Sequence, residues 1–255
     1  MNQLTLVISR TIGMEKSEYS QMFHLENDYW WYVGLHQLVE HFVRKMKSDV
    51  LVMLDAGCGT GRMMEILKPY GHIDGFDFSE DAISFCFQRG LTSAKLRDLN
   101  QARLNNNYYD VIVSLDVIYH QAIKDDQAIL KKFYDALRQQ GTLILNLPAF
   151  DLLHRAHNVY VHEKRRYRKK QLLQQLKNMG FEIRLATYRL IPLFFMFLFI
   201  KLFESRRKPA KSDLSELPGW LNAMLLFWHR FENSLIRMGV RFPFGSSLFI
   251  VAVKP

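Results

Sequence analysis

Cysteine is nearly absent: Cys58 and Cys86 are the chain's two thiols. That excludes a disulfide framework and a cysteine-rich zinc site, and it fits a reducing compartment. Long apolar runs are missing too. The most apolar stretch, Leu190–Phe203, makes a helix of about 21 Å at about 1.5 Å per residue, short of the roughly 30 Å of a bilayer core. Met1–Gly13 has no long apolar core followed by a cleavage site, so no signal peptide is expected. There is no internal repeat and no low-complexity linker. What is present, 255 residues with 49% hydrophobic content, is enough for one large domain, or a domain with an elaboration, around a sizeable core.

Acids are scarce in one region. From Asp151 to Lys211, fifteen Lys or Arg stand against four acids, a net of +11 where the whole chain carries +9. Such a patch suits anionic lipid, an anionic substrate or nucleic acid, or is a solvated basic face. His154, His157 and His162 lie within it, but no Cys or acid completes a ligand set, so they read as structural or substrate-facing and no metal is expected.

Apolar runs alternate with helical patterns, which predicts an α/β fold with a mostly parallel sheet. Strands are expected at Val50–Leu54, His72–Phe76, Ala94–Arg97, Asp110–Leu115, Thr142–Leu147, Phe181–Thr187 and Leu248–Val253. Helices are expected at Leu35–Lys47, Arg62–Lys68, Glu80–Gln88, Asp125–Arg138 and Lys169–Met179, with Gly90, Gly141 and Gly180 as stops. Leu190–Gly245 breaks this rhythm. Trp220–Met238 has helical periodicity in Leu221, Leu225, Trp228, Phe231, Leu235 and Met238. The two helices of this stretch read as packing on each other and the sheet edge, as a lid over an apolar substrate, or as an interfacial anchor. The expected organisation is an N-terminal segment 1–34, a core 35–189, an apolar helical insertion 190–245 and a last core strand in 246–255.

The most informative stretch is Leu54-Asp55-Ala56-Gly57-Cys58-Gly59-Thr60-Gly61, between an apolar strand and a helix. Strand, glycine turn and helix cradle a nucleotide-like cofactor, because the backbone turns tightly and the helix start offers unpaired N–H groups. A P-loop needs Gly-Lys followed by Ser or Thr, yet Gly61 is followed by Arg62 and Met63. A dinucleotide fingerprint is G-x-G-x-x-G, and the spacing here is G-x-G-x-G. About 20 residues on, Asp77 ends the second strand, where a carboxylate can accept ribose hydroxyls.

An acid followed by G-x-G-x-G resembles motif I of the class I S-adenosylmethionine (SAM) dependent methyltransferases, and Asp77 matches the acid of their second strand. The resemblance implies a Rossmann-like seven-stranded, mostly parallel sheet flanked by helices, a helical insertion before the last strand, and SAM as cofactor. It implies that Asp55, Ala56, Gly57, Cys58, Gly59 and Gly61 hold the methionine part. Asp77 and Phe78 then stand at the ribose, and Asp98, Leu99 and Leu115 flank the adenine. The stretch Tyr109–His120 is similar to the family's fourth strand, which ends beside the transferred methyl group. Asp116 and His120 are therefore expected at the reacting end, with His120 as candidate general base. The chain lacks both the Asn/Asp-Pro-Pro-Tyr/Phe box of amino-group DNA methyltransferases and the Pro-Cys nucleophile of cytosine C5 enzymes. No DNA partner is expected.

Further runs resemble one bacterial subgroup of these enzymes. They are the aromatic block Asp28–Tyr32, the Pro148-Ala149 turn, the Arg165-Arg166-Tyr167 box and Phe242–Ser247. Arg165, Arg166 and Tyr167 are candidates for clamping an anionic or planar substrate, or for fixing the loop after strand five. Trp30 and Trp31 are candidates for shielding the cofactor or anchoring the first helix. Where the subgroup often carries an arginine, this chain has Gly34-Leu35-His36. The implied activity is methyl transfer from SAM; the apolar stretch 190–203 and the helix 220–238 point to a small, hydrophobic acceptor, with O-methylation favoured. An RNA methyltransferase using 164–170, and a non-catalytic membrane-associated partner subunit, are the rival readings. The expected location is the cytoplasm, with an anionic membrane surface as a candidate partner through 190–211.

Overall fold

A computed structural model describes residues 16–46, 50–150, 165–203 and 217–255. The N-terminal half begins with α1 (Lys16–Leu25) and α2 (Trp30–Arg44), then β1 (Leu51–Ala56), α3 (Arg62–Leu67) and β2 (Gly71–Asp77). It continues with α4 (Glu80–Gln88), β3 (Ala94–Leu96) and β4 (Tyr109–Leu115). The C-terminal half comprises α5 (Asp126–Ala136), β5 (Leu137–Pro148), α6 (Lys169–Asn178), β6 (Glu182–Arg189), α7 (Ile191–Phe203), α8 (Gly219–Arg237) and β7 (Ser247–Val253).

The seven strands form one sheet in the order β3-β2-β1-β4-β5-β7-β6. Pairings from β3 to β5 are parallel, and β7 runs antiparallel between β5 and β6. The strands read as continuous apolar runs because helices cover both faces. In β4, Ile112 faces the layer of α5 and α6, while Val111 and Val113 face that of α2, α3 and α4. All seven predicted strands are present, with ends moved by a few residues. Helix α4 has the predicted bounds, because Ser79 caps its start by accepting the Ala82 N–H at 3.3 Å.

Two expectations are corrected. Gly141 does not stop a helix. Helix α5 ends at Ala136 and runs directly into β5, and Gly141 sits inside that strand at an irregularity in its register with β4. A Cβ there would come within 2.8 Å of the Arg138 carbonyl oxygen, which explains the glycine. The first core helix starts at Trp30 rather than Leu35, so Trp30, Trp31 and Tyr32 of the aromatic block belong to α2. Residues 16–25, part of the N-terminal segment for which the sequence suggested no element, form α1. Helix α8 packs against α2: Asn233 donates to the Gly34 carbonyl at 2.7 Å, and Asn222 accepts the Trp30 N–H at 2.9 Å. Gly34 is where the close approach occurs, since a Cβ there would lie 2.0 Å from the His229 ring. The His154, His157 and His162 cluster and the basic run Arg206–Lys208 lie outside the described residues.

Candidate functional site

In an open α/β sheet, ligands bind beyond the carboxyl ends of the strands where the strand order reverses. Here that point lies between β1 and β4, whose neighbours lead to opposite edges. A cavity of about 830 Å³ opens there. Asp55, Gly57, Cys58, Gly59, Asp77, Phe78, Asp98, Leu99, Leu115, Asp116 and His120 all line it. Ala56 and Gly61 do not; they shape the turn from behind.

The turn is built by local sequence. Gly57 has φ +90°, and a Cβ there would meet the Val117 side chain at 2.2 Å, so only glycine fits between β1 and the end of β4. The N–H groups of Gly57 and Cys58 both donate to the Phe76 carbonyl, at 2.7 and 3.0 Å. Asp77 accepts the Gly59 N–H at 2.9 Å and the Ser79 N–H at 3.0 Å, which ties the turn to the end of β2. Asp98 accepts from the Asn100 backbone at 2.9 Å, which shapes the turn after β3. Cys58 and Cys86 sit with sulfurs 3.9 Å apart as buried thiols.

Among the described residues, four buried polar atoms that belong to the cavity lining find no hydrogen-bond partner: Asp55 Oδ2, Arg62 Nε, His36 Nδ1 and Trp30 Nε1. A buried polar group left unpaired costs about 1–3 kcal/mol, so these atoms call for a ligand. Burial, aided by the nearby negative charges of Asp77 and Glu26, pushes the Asp55 carboxyl up to about 8. Burial and the cationic Arg62, Arg89 and Arg189 hold His36 down at about 3, so its ring is neutral. The wall therefore combines a carboxyl that gains from a cationic partner with a guanidinium N–H that gains from an anionic one. A zwitterion fits both needs, and the aminocarboxylate end of SAM is one.

At the far end, Asp116 follows β4 with φ +55°, a conformation that costs a non-glycine residue roughly 1–2 kcal/mol. It is held by Asn146, which donates to Asp116 Oδ2 at 2.8 Å and accepts from Arg189 at 3.1 Å. Arg189 is fully buried and also contacts His229 Nε2. Burial lowers the Arg189 guanidinium to about 10, while Glu232 and Asp116 support its charge. Glu232 in turn accepts the N–H groups of Leu190 and Ile191 at 2.9 and 3.3 Å, capping α7. A buried polar chain thus runs from α8 to the end of β4. His120 lines the cavity near Phe78, with ring centroids 5.9 Å apart, and its Nδ1 accepts the Ala122 N–H at 3.1 Å.

The Arg-Arg-Tyr box divides. Arg165 pairs with Asp126 at 2.5 Å, and the Tyr167 hydroxyl donates to Asp126 at 2.7 Å, so both brace the structure. Arg166 lines the cavity. Trp30 and Trp31 line it too, and Trp30 also anchors α2 to α8. The sequence reading missed Tyr19 and Met22, which reach the cavity from α1, and Glu26, which reaches it from the turn just after that helix. It also missed Arg89, which clasps α1 to the glycine turn by bonding Glu26 at 2.6 Å and the Thr60 carbonyl at 3.0 Å. A signal existed in the spacing of Tyr19, Met22, Phe23 and Glu26. Among the described residues no cluster of His, Cys, Asp and Glu can hold a metal.

The profile of a family described as "Methyltransferase domain" matches residues 47–186. A malonyl-[acyl-carrier protein] O-methyltransferase of Bacillus cytotoxicus is 31% identical over 138 residues, 51% of this chain and 47% of that protein. The chain spans less than half the length of the curated relatives it matches. Among solved structures, the complex of the Haloferax volcanii Trm112 methyltransferase activator with a methyltransferase aligns with a TM-score of 0.59 and 16% identity, covering 94% of both chains. Haemonchus contortus phosphoethanolamine N-methyltransferase 2, solved with S-adenosyl-L-methionine, aligns with a TM-score of 0.56 and 20% identity over 88% of this chain and 53% of that one. These two share the fold. With over half its length matched, the chain belongs to the family described as a methyltransferase domain.

Proposed function

We propose that this chain transfers a methyl group to a small, hydrophobic acceptor, preferentially at oxygen. One observation carries the reading: a single cavity joins the carboxylates and glycine turn of β1 and β2 to an apolar wall of Leu190, Leu193, Leu221 and Leu225. When bound, SAM supplies a methyl carbon already activated by its sulfonium. The protein's own work is then alignment and exclusion of water. Asp55 receives the methionine ammonium, and Arg62 with His36 receives the carboxylate. This assignment uses three of the unpaired atoms and replaces the arginine that the resembling subgroup carries near Gly34. Asp77 and Phe78 stand at the ribose, with Asp98, Leu99 and Leu115 at the adenine.

His120 is the proposed base. Its Nδ1 already accepts a backbone N–H, so the neutral ring carries its proton on Nε2. It takes the acceptor's proton only when Ala122 releases Nδ1. The expected result for His120→Gln is unchanged SAM affinity with turnover reduced by at least ~100-fold. Full turnover in that variant removes the base role and leaves the cofactor reading standing.

Arg166, which lines the cavity while donating to the Ala149 carbonyl at 3.1 Å, is a candidate contact for an acidic group on the acceptor. The RNA reading loses support because Arg165 of the basic stretch is already paired with Asp126. Transfer of labelled methyl from SAM to apolar metabolite extracts tests the activity; transfer to RNA alone contradicts the acceptor class.

A further inference from the structure

Helix α8 presents three faces. His229, Glu232, Asn233 and Ile236 are buried. Leu221 and Leu225 line the cavity. The third face carries Trp220, Met224, Phe227, Trp228, Phe231 and Met238, all large, apolar and exposed. At about 100° per residue these six side chains fall within an arc of roughly 100°. Trp220 is 70% exposed and Phe227 71%, which ordinary surface scatter does not account for. The neighbouring helix α7 adds exposed Phe195, Met196 and Phe199.

Charge selects the occupant. The one acid of α8, Glu232, is buried, so its outer surface carries none. Exposed Arg230 and Arg237 lie to one side of the apolar arc, and exposed Arg241 follows the helix. An apolar arc rich in tryptophan and phenylalanine, bordered by arginines and free of acid, is the pattern of a helix lying in a membrane interface. Among the described residues no helix is long and apolar enough to cross a membrane.

We infer that α8 docks this protein on an anionic lipid bilayer, with its exposed aromatic arc seated among the headgroups. The inference rests on the proposed function for its purpose. Met196, Leu217, Leu221 and Leu225 line the cavity from the same two helices and from two residues ahead of α8, so docking brings the apolar wall next to the lipid phase. An acceptor dissolved in the bilayer then reaches the cavity without crossing water. The basic segment expected as the membrane contact, 190–211, is described only as far as residue 203, and the docking face assigned here is mainly α8.

The test uses the full chain in flotation with phosphatidylcholine vesicles, with and without phosphatidylglycerol, and SAM titration on the same preparations. The expected results are flotation on the anionic vesicles, weakened by salt, and a blue shift of tryptophan emission. Phe227→Asp with Phe231→Asp abolishes flotation and leaves SAM affinity unchanged. Each of Arg230→Gln and Arg241→Gln weakens anionic-vesicle affinity by about fivefold. Failure to float on anionic vesicles at low salt overturns the inference. So does equal flotation of the double aspartate variant, or a wild-type dimer that this variant turns into a monomer without any vesicle binding. Loss of SAM binding in a protein that still floats would overturn the proposed function and spare the docking face.

Discussion

Asp55 carries the sharpest residue-scale consequence. Its carboxyl titrates near 8 in the free protein, far above its unfolded range, so the folded state holds a proton that the unfolded state releases. This contribution to stability is complete below the unfolded value near 4 and is lost as pH rises towards and through 8. We expect Asp55→Asn to flatten that part of the Tm–pH curve between about pH 5 and 8 while weakening SAM binding by at least ~10-fold, the effect of losing a charge-assisted bond. A Tm–pH curve identical to wild type contradicts the assignment. Since the cation needs the ionised carboxylate, SAM binding at pH 7 should release protons, visible as a buffer-dependent heat. Arg189 sits between Glu232 and Asp116 in the interior. Arg189→Leu removes the cation that supports both acids and should destabilise the fold by about 3–5 kcal/mol, read by chemical denaturation; a change below about 1 kcal/mol would show the pairing to be unimportant.

At the scale of elements, the pairing of α2 with α8 governs the roof of the cavity. Gly34→Ala puts a methyl group into the His229 ring, so α8 must move or His229 must leave. The expected cost is about 1–3 kcal/mol, with weaker acceptor binding than cofactor binding as the accompanying sign. An unchanged Tm would mean that the two helices part easily. This pairing was illegible in the sequence. Periodicity identifies α8 as amphipathic, but nothing local says that His229, Glu232 and Asn233 form its buried face while its aromatics face outward. Ordinary hydrophobic patterning points the other way. The strands were legible because β-branched and apolar runs between turn signals have one reading in an α/β chain. Helix α1 was missed because its apolar spacing is short and weakly periodic, and its order comes from Arg89 and Glu26, far apart in sequence.

For the whole molecule, the convergence of the glycine turn, Asp55, Asp77 and the end of β4 could be read in advance, because a strand, glycine turn and helix fix both residue type and spacing. The rest of the cavity lining could not. Arg166, Leu193, Leu217 and Leu221 converge from separate elements and carry no spacing of their own. The same asymmetry gives the cavity two ends, a polar, strand-built one proposed for the donor and an apolar, helix-built one proposed for the acceptor, with Asp116 and His120 also in its lining. The most direct test of this account is calorimetric titration of SAM into the folded wild-type chain and into Asp55→Asn. The account predicts saturable binding to the wild type with proton release at neutral pH, and an affinity loss of at least ~10-fold in the variant. A folded wild-type protein that gives no binding heat with SAM or S-adenosylhomocysteine, or a variant that binds SAM as tightly as wild type, would contradict it.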